Sequence, residues 1–212
     1  MSRIGILGGT FNPPHLGHLA IARHARDELG LDRVLFMPVH TPPHKEAEED
    51  PGPERRLAMC RLAVAGEPGL EVSELELRRR GPSYTVDTLR ELHAQRPDDE
   101  LVFLLGADMA RTLPSWREPR EILRLAHPAV AEREGAARAE IVRVMCSLGA
   151  RPDGVSFLDM PPIAVSSSLV RERAAAGEPI DELVPAAVAR YIEEHRLYEA
   201  PRPAPLAPSG RA

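Results

Sequence analysis

Ile4-Gly5-Ile6-Leu7-Gly8-Gly9-Thr10-Phe11-Asn12-Pro13-Pro14-His15-Leu16-Gly17-His18-Leu19 opens the chain with an apolar run, a glycine pair and two histidines three residues apart. Ile4 to Leu7 reads as a strand. Gly17 to Leu29 reads as a helix ended by Gly30, because glycine takes the left-handed conformation that closes helices. A strand that turns through glycine into a helix start brings backbone N–H groups and the positive end of the helix dipole to one place. His15 and His18 stand there. Imidazoles in that setting can donate to phosphate oxygens, cap the helix or, were His40 and His44 to fold back, hold zinc. The glycine-rich turn favours phosphate.

Moving outward, short apolar runs alternate with amphipathic ones, the pattern of βα units and a mainly parallel sheet. Arg33 to Met37 is a second strand stopped by Pro38. A loop of Pro and His (His40 to Lys45) leads through acidic residues 46–50 to a helix opened by Pro53 and reaching Ala65. Leu70, Val72, Leu75 and Leu77 alternate with polar residues and predict a third strand over 70–77. Arg78-Arg79-Arg80 reads as a solvated basic turn before a helix over Thr85 to Gln95. Leu101 to Leu105 is apolar throughout, as a strand buried on both faces should be. A short helix, Trp116, and a helix over Glu118 to Leu125 follow. Weaker strand signals at 129–131 and 155–158 flank a helix near 137–148. The remaining helices start after Ser166-Ser167-Ser168 and at Ala186. The pattern predicts a Rossmann-like α/β fold with C-terminal helices, residues 1–200 forming one domain and the Pro-rich residues 201–212 a disordered tail.

The chain has 212 residues, 43% hydrophobic and 28% charged, ordinary figures for a globular protein. A formal net charge of −5 argues against a nucleic-acid binder, while a local basic cluster can still hold a small anion. Cys60 and Cys146 lie far apart and read as small core residues in a reducing compartment. No apolar run approaches a membrane span and no leader pattern is visible, so the expectation is a cytoplasmic protein without membrane partners, a homo-oligomer remaining open.

Every chemically loaded segment follows a predicted strand: Gly8 to His18, His40 to Lys45, Arg78 to Thr85, Gly106 to Asp108, and Ser166 to Arg171. In open parallel sheets that edge carries the ligand crevice. Lys45 beside His44, after two prolines, reads as a phosphate ligand. Asp108 and the serine triplet are also ordinary helix caps. Arg171 one turn beyond the serines makes an anion site, since helix-start N–H groups and a guanidinium converge. Trp116, the only tryptophan, reads equally as core packing.

Gly9-Thr10-Phe11-Asn12-Pro13-Pro14-His15-Leu16-Gly17-His18 resembles the first motif of the nucleotidyltransferase superfamily, and Val165-Ser166-Ser167-Ser168-Leu169-Val170-Arg171 resembles its second. Thr41-Pro42-Pro43-His44-Lys45, Gly81-Pro82-Ser83-Tyr84-Thr85, Gly106-Ala107-Asp108 and Pro114-Ser115-Trp116 narrow the likeness to the bacterial nicotinate-nucleotide adenylyltransferases, from about residue 3 to Tyr198. The resemblance implies a nucleotidyltransferase fold and adenylyl transfer from ATP to nicotinate mononucleotide, giving deamido-NAD and pyrophosphate in NAD biosynthesis. Mg²⁺ is implied as cofactor, held mainly by substrate phosphates, with no metal ligand in the protein. His18, His15, Lys45 and Arg171 are the implied catalytic residues. Gly8, Gly9, Thr10, Phe11, His15, His18, Ser167, Ser168 and Arg171 would bind ATP. Lys45, Ser83, Tyr84, Thr85, Gly106, Asp108 and Trp116 would bind the mononucleotide. Two departures stand out. Asn12 occupies a position where many members carry Asp, and Ala131-Glu132-Arg133-Glu134-Gly135 replaces a more basic segment.

A sibling enzyme acting on phosphopantetheine or nicotinamide mononucleotide and a non-catalytic nucleotide-binding module remain the competing readings. A dehydrogenase is disfavoured, because Gly5-x-x-Gly8-Gly9 lacks the dinucleotide spacing and no acidic residue ends the second strand.

Overall fold

The computed structural model describes residues 1–42, 50–132, 138–160 and 163–199. Lys45 and His44, Arg133 to Gly135, and the expected tail at 201–212 fall outside the described residues.

Strands β1 (Arg3–Gly9), β2 (Arg33–Pro38), β3 (Leu70–Val72), β4 (Glu100–Gly106), β5 (His127–Glu132) and β6 (Ser156–Asp159) form one sheet in the order β3-β2-β1-β4-β5-β6. Every pairing in it is parallel. The order reverses between β1 and β4, which sets a crevice at the carboxyl edge of that central pair. Helices α1 (Leu16–Leu29), α2 (Pro53–Val64), α3 (Leu75–Arg79), α4 (Thr85–Gln95), α5 (Ala107–Thr112), α6 (Pro119–Leu125), α7 (Arg138–Ser147), α8 (Ser167–Ala176) and α9 (Ala186–Glu194) cover it.

The central strands are apolar on both faces because both faces are covered. Ile4, Ile6, Phe103 and Leu105 enter one core with Val86, Leu89, Ile122 and Ile141. Leu7, Val102 and Leu104 enter the other with Leu19, Ala22, Ala25 and Phe36. A third cluster joins Met59 and Ala63 of α2 to Val170, Val184, Val188 and Ile192, docking α8 and α9 onto the domain. Gly30 ends α1 in the left-handed conformation, with φ 60° and ψ 44°, and its N–H donates to the Arg26 carbonyl. Gly5 has a different reason: a Cβ there would stand 2.9 Å from both Leu31 Cδ1 and Val34 Cγ2. Gly5→Ala should cost about 1–3 kcal/mol by overpacking, read as a lower urea midpoint at unchanged slope.

One strand expectation fails. Only Leu70–Val72 pairs with β2, and residues 75–79 turn into α3 instead of continuing the strand. Glu76 is buried with its carboxylate accepting from Thr88 Oγ1 at 2.6 Å, so α3 turns a residue expected to face solvent toward α4. The basic turn is likewise not wholly solvated: Arg79 is three-quarters buried, and its Nη2 donates to Thr88 Oγ1 at 2.8 Å. Cys60 and Cys146 are both free, and burial pushes the Cys60 thiol pKa up, as suits a core residue. Among the described residues no helix is long and apolar enough to cross a membrane.

Candidate active site

Four of the five segments singled out by sequence are described at the carboxyl edge of the sheet, and the fifth is described up to Pro42. Gly8 and Gly106 lie near the ends of adjacent β1 and β4, and a Cβ at either would meet nothing within 4 Å, so both leave open space there. A ligand backbone or phosphate can approach such positions closely.

His15 is the N-cap of α1 and is only 8% exposed. The two imidazoles stack with centroids 3.7 Å apart. His18 Nδ1 accepts from the His15 backbone N–H at 3.2 Å. An accepting Nδ1 carries no hydrogen, so the neutral ring bears it on Nε2, a donor that the cap does not use. Capping and phosphate binding are therefore compatible uses of the same ring. Gly17 separates the histidines because a Cβ there would lie 3.1 Å from His15 Cε1 and Nδ1 and from Val165 Cγ1. The glycine thus serves packing between the two motifs rather than an anion.

Burial pushes the His15 pKa down to about 4, while burial and the neighbouring His15 ring hold His18 well below its ordinary value. The stability tied to His15 is fully present above pH 6.5, where the ring is neutral folded or unfolded. It is lost progressively as pH falls from 6.5 through 4. At pH 5 the loss amounts to about 2 kcal/mol. His15→Gln should therefore lose about 2 kcal/mol less stability than wild type between pH 7.5 and pH 5, measured by urea unfolding at both. An equal loss would show that His15 does not govern the acid response.

Phe11 lies buried between Phe36, 5.3 Å away, and His18, 4.9 Å away, with φ 51°. Its ring belongs to the core, so only its backbone remains to face a nucleotide. The second motif docks directly on this turn. Ser166 caps α8, accepting from Leu169 N at 3.1 Å. Ser167 Oγ donates to the Pro13 carbonyl at 2.9 Å, and Arg171 Nη1 donates to the Asn12 carbonyl at 2.9 Å. Arg171 Nη2 also reaches Ser168 Oγ at 3.4 Å. The Asn12 side chain is engaged from the far end of the chain, Tyr198 OH donating to its Oδ1 at 2.6 Å.

On the other side, Ser83 is buried and its Oγ accepts from His40 N at 2.9 Å. Tyr84 precedes the first turn of α4, and the Arg117 guanidinium lies 4.8 Å over its ring. Trp116 is half-buried, edge-on to Phe103 at 6.0 Å, with Nε1 donating to Thr112 Oγ1 at 3.1 Å. Packing explains one side of that indole. Asp108 caps nothing: its side chain is 99% exposed and pairs with Arg111 at 2.9 Å. Glu132, in the departing segment, is buried and paired with Arg138 at 3.0 Å.

Sequence reasoning missed Arg56. It sits within an Arg pair on α2 yet is 0% exposed, donating to the carbonyls of Thr10, Val39 and His40. Tyr198 was missed as well, and no local pattern marks either residue.

A family model described as cytidylyltransferase-like matches residues 6–173. A probable nicotinate-nucleotide adenylyltransferase of Symbiobacterium thermophilum is 45% identical over 199 residues, covering 93% of this chain and 96% of that protein. The chain belongs to the nicotinate-nucleotide adenylyltransferase family. A second such adenylyltransferase, from Geobacillus thermodenitrificans, is 44% identical over 94% of this chain and 88% of its own length. Among solved structures, the Plasmodium falciparum nicotinic acid mononucleotide adenylyltransferase complexed with NaAD superposes with a TM-score of 0.77. It covers 93% of this chain and 98% of its own, and at 17% identity that likeness speaks for the adenylyltransferase fold.

Proposed function

We propose that this chain transfers the adenylyl group of ATP to nicotinate mononucleotide, yielding deamido-NAD and pyrophosphate. The observation that carries the reading is the docking of the Ser166–Arg171 helix start onto Asn12 and Pro13, beside the stacked His15 and His18. That arrangement gathers helix N–H groups, an arginine and an imidazole donor at one end of the crevice, suited to a triphosphate. Gly8, Gly9 and Thr10 would line its approach, with Ser167 and Ser168 opposite. Ser83, Tyr84, Thr85, Gly106, Asp108 and Trp116 would receive the mononucleotide, and Lys45 would add a cation.

The chemistry asks for no protein nucleophile. A phosphate oxygen of the mononucleotide attacks the α-phosphorus in line. The bond from that phosphorus to the bridging oxygen breaks, and pyrophosphate leaves with the electron pair. The protein's part is orientation and neutralisation of charge. Mg²⁺ would be held mainly by the substrate phosphates. When bound it would neutralise phosphate charge.

Pyrophosphate release from ATP, measured with nicotinate and nicotinamide mononucleotides in turn, tests this. Release should depend on the nicotinate form. Equal turnover of both would refute the ring assignment, and no release with either would refute the activity.

A further inference from the structure

The reaction proposed above requires two separately bound nucleotides to meet at one phosphorus, and the inference here rests on that reading. Arg56 lies in the first turns of α2 with its side chain fully buried. An arginine stays charged inside a protein, so burying one is costly unless every donor is satisfied. Here Nε donates to Asp50 Oδ1 at 2.9 Å. Nη1 donates to the Thr10 carbonyl at 2.9 Å and the Val39 carbonyl at 2.7 Å, and Nη2 to the His40 carbonyl at 2.9 Å.

The choice of acceptors is informative. Thr10 is the first residue past β1, on the turn that leads to His15 and His18. Val39 and His40 are the first residues past β2. From His40 the connection continues, its N–H donating to Ser83 Oγ at 2.9 Å while Ser83 N donates to the Thr41 carbonyl at 3.1 Å. Ser83 in turn leads into Tyr84 and Thr85 at the start of α4. One buried cation therefore links the turn of the triphosphate half to the loop of the mononucleotide half. A core position needing only volume would be served as well by an apolar side chain. A planar fork on three carbonyls fixes their spacing, and its charge strengthens each bond.

We propose that Arg56 is a positioning residue: it sets the separation between the Thr10 turn and the Ser83–Thr85 loop, and so the alignment of the two substrates, without touching either. Misplacement by about 1 Å costs on the order of 10²-fold in rate, whereas each nucleotide binding alone needs only its own half.

Arg56→Lys keeps the charge but cannot span all these acceptors. Thermal unfolding, calorimetric Kd for each mononucleotide and for a non-hydrolysable ATP analogue alone, and kcat would be measured on the whole chain. The expected result is folded protein, each Kd within about threefold of wild type, and kcat lower by about 10- to 100-fold. A kcat within twofold of wild type overturns the proposal. So does a loss confined to Kd, which would make Arg56 a support for one site only. Should Arg56→Lys not fold, Asp50→Asn carries the test by loosening the fork from one side, with kcat expected about 3- to 10-fold lower at unchanged Kd values. Unchanged kcat in that variant is equally fatal. Wild-type protein releasing no pyrophosphate with either mononucleotide would overturn the underlying reading instead, so the two failures are distinguishable.

Discussion

His18→Ala should fold as wild type and adenylate nicotinate mononucleotide about 10²-fold or more slowly, the usual consequence of losing one preorganised donor at developing charge. The magnitude follows from how the ring is held. Its Nδ1 is committed to the His15 backbone N–H, the ring stacks on His15 and meets Phe11 in a T-shaped contact, and Nε2 carries the remaining hydrogen. A donor fixed in this way needs no reorganisation as charge builds up on the transferred phosphoryl group. His18→Gln, which retains an N–H donor on a more flexible stem, should recover part of the rate. Truncation also removes ring contacts, so circular dichroism and the thermal midpoint must accompany kcat. A folded His18→Ala enzyme with unchanged turnover would falsify the assignment. The same variant leaves His15 free to relax, so the kcat loss should exceed any loss in the Kd of ATP.

Local sequence made the β1–α1 turn legible because its constraints are local. Glycine conformations, a helix start and the spacing of two histidines are all properties of neighbouring residues. The parallel sheet was legible for a similar reason, since Leu101 to Leu105 can be apolar throughout only between two covered faces. The residues that escaped notice act at long range. Arg56 follows Arg55 and looks like half of a solvated pair until β1 and β2 bring three carbonyls around it. Alternation over 70–77 could not separate a strand from a strand followed by α3, because the arbiter is Thr88 twelve residues beyond Glu76. Burial then pushes the Glu76 carboxyl pKa up, a further mark of tertiary rather than local control. The departure at Asn12 has the same kind of explanation. An amide oxygen accepts from Tyr198 there, a partner separated by 186 positions, and nothing in the first motif announces it.

Arg171→Ala should lower kcat/KM for ATP by about 10²- to 10³-fold, because it removes the fixed guanidinium that the proposed function assigns to the triphosphate. Its geometry makes the loss specific to arginine. Nη1 is held on the Asn12 carbonyl and Nη2 approaches Ser168 Oγ, so the fork is oriented by the first motif while it stands one turn inside α8. Lysine supplies a point charge on a flexible stem and cannot both grip Asn12 and offer a second directed donor. Arg171→Lys should therefore remain about 10- to 100-fold impaired, despite conserving charge. The fold should tolerate either change: Ser167 still binds the Pro13 carbonyl, Tyr198 still binds Asn12, and one hydrogen bond is worth about 1 kcal/mol. Initial rates with ATP varied at saturating nicotinate mononucleotide give kcat/KM directly, and the thermal midpoint guards against misfolding. If the Lys variant performs within twofold of wild type, charge alone suffices and the oriented fork has no catalytic role. If instead both variants unfold, the Asn12 contact is worth far more than a single hydrogen bond, and the second motif is chiefly a clasp on the first.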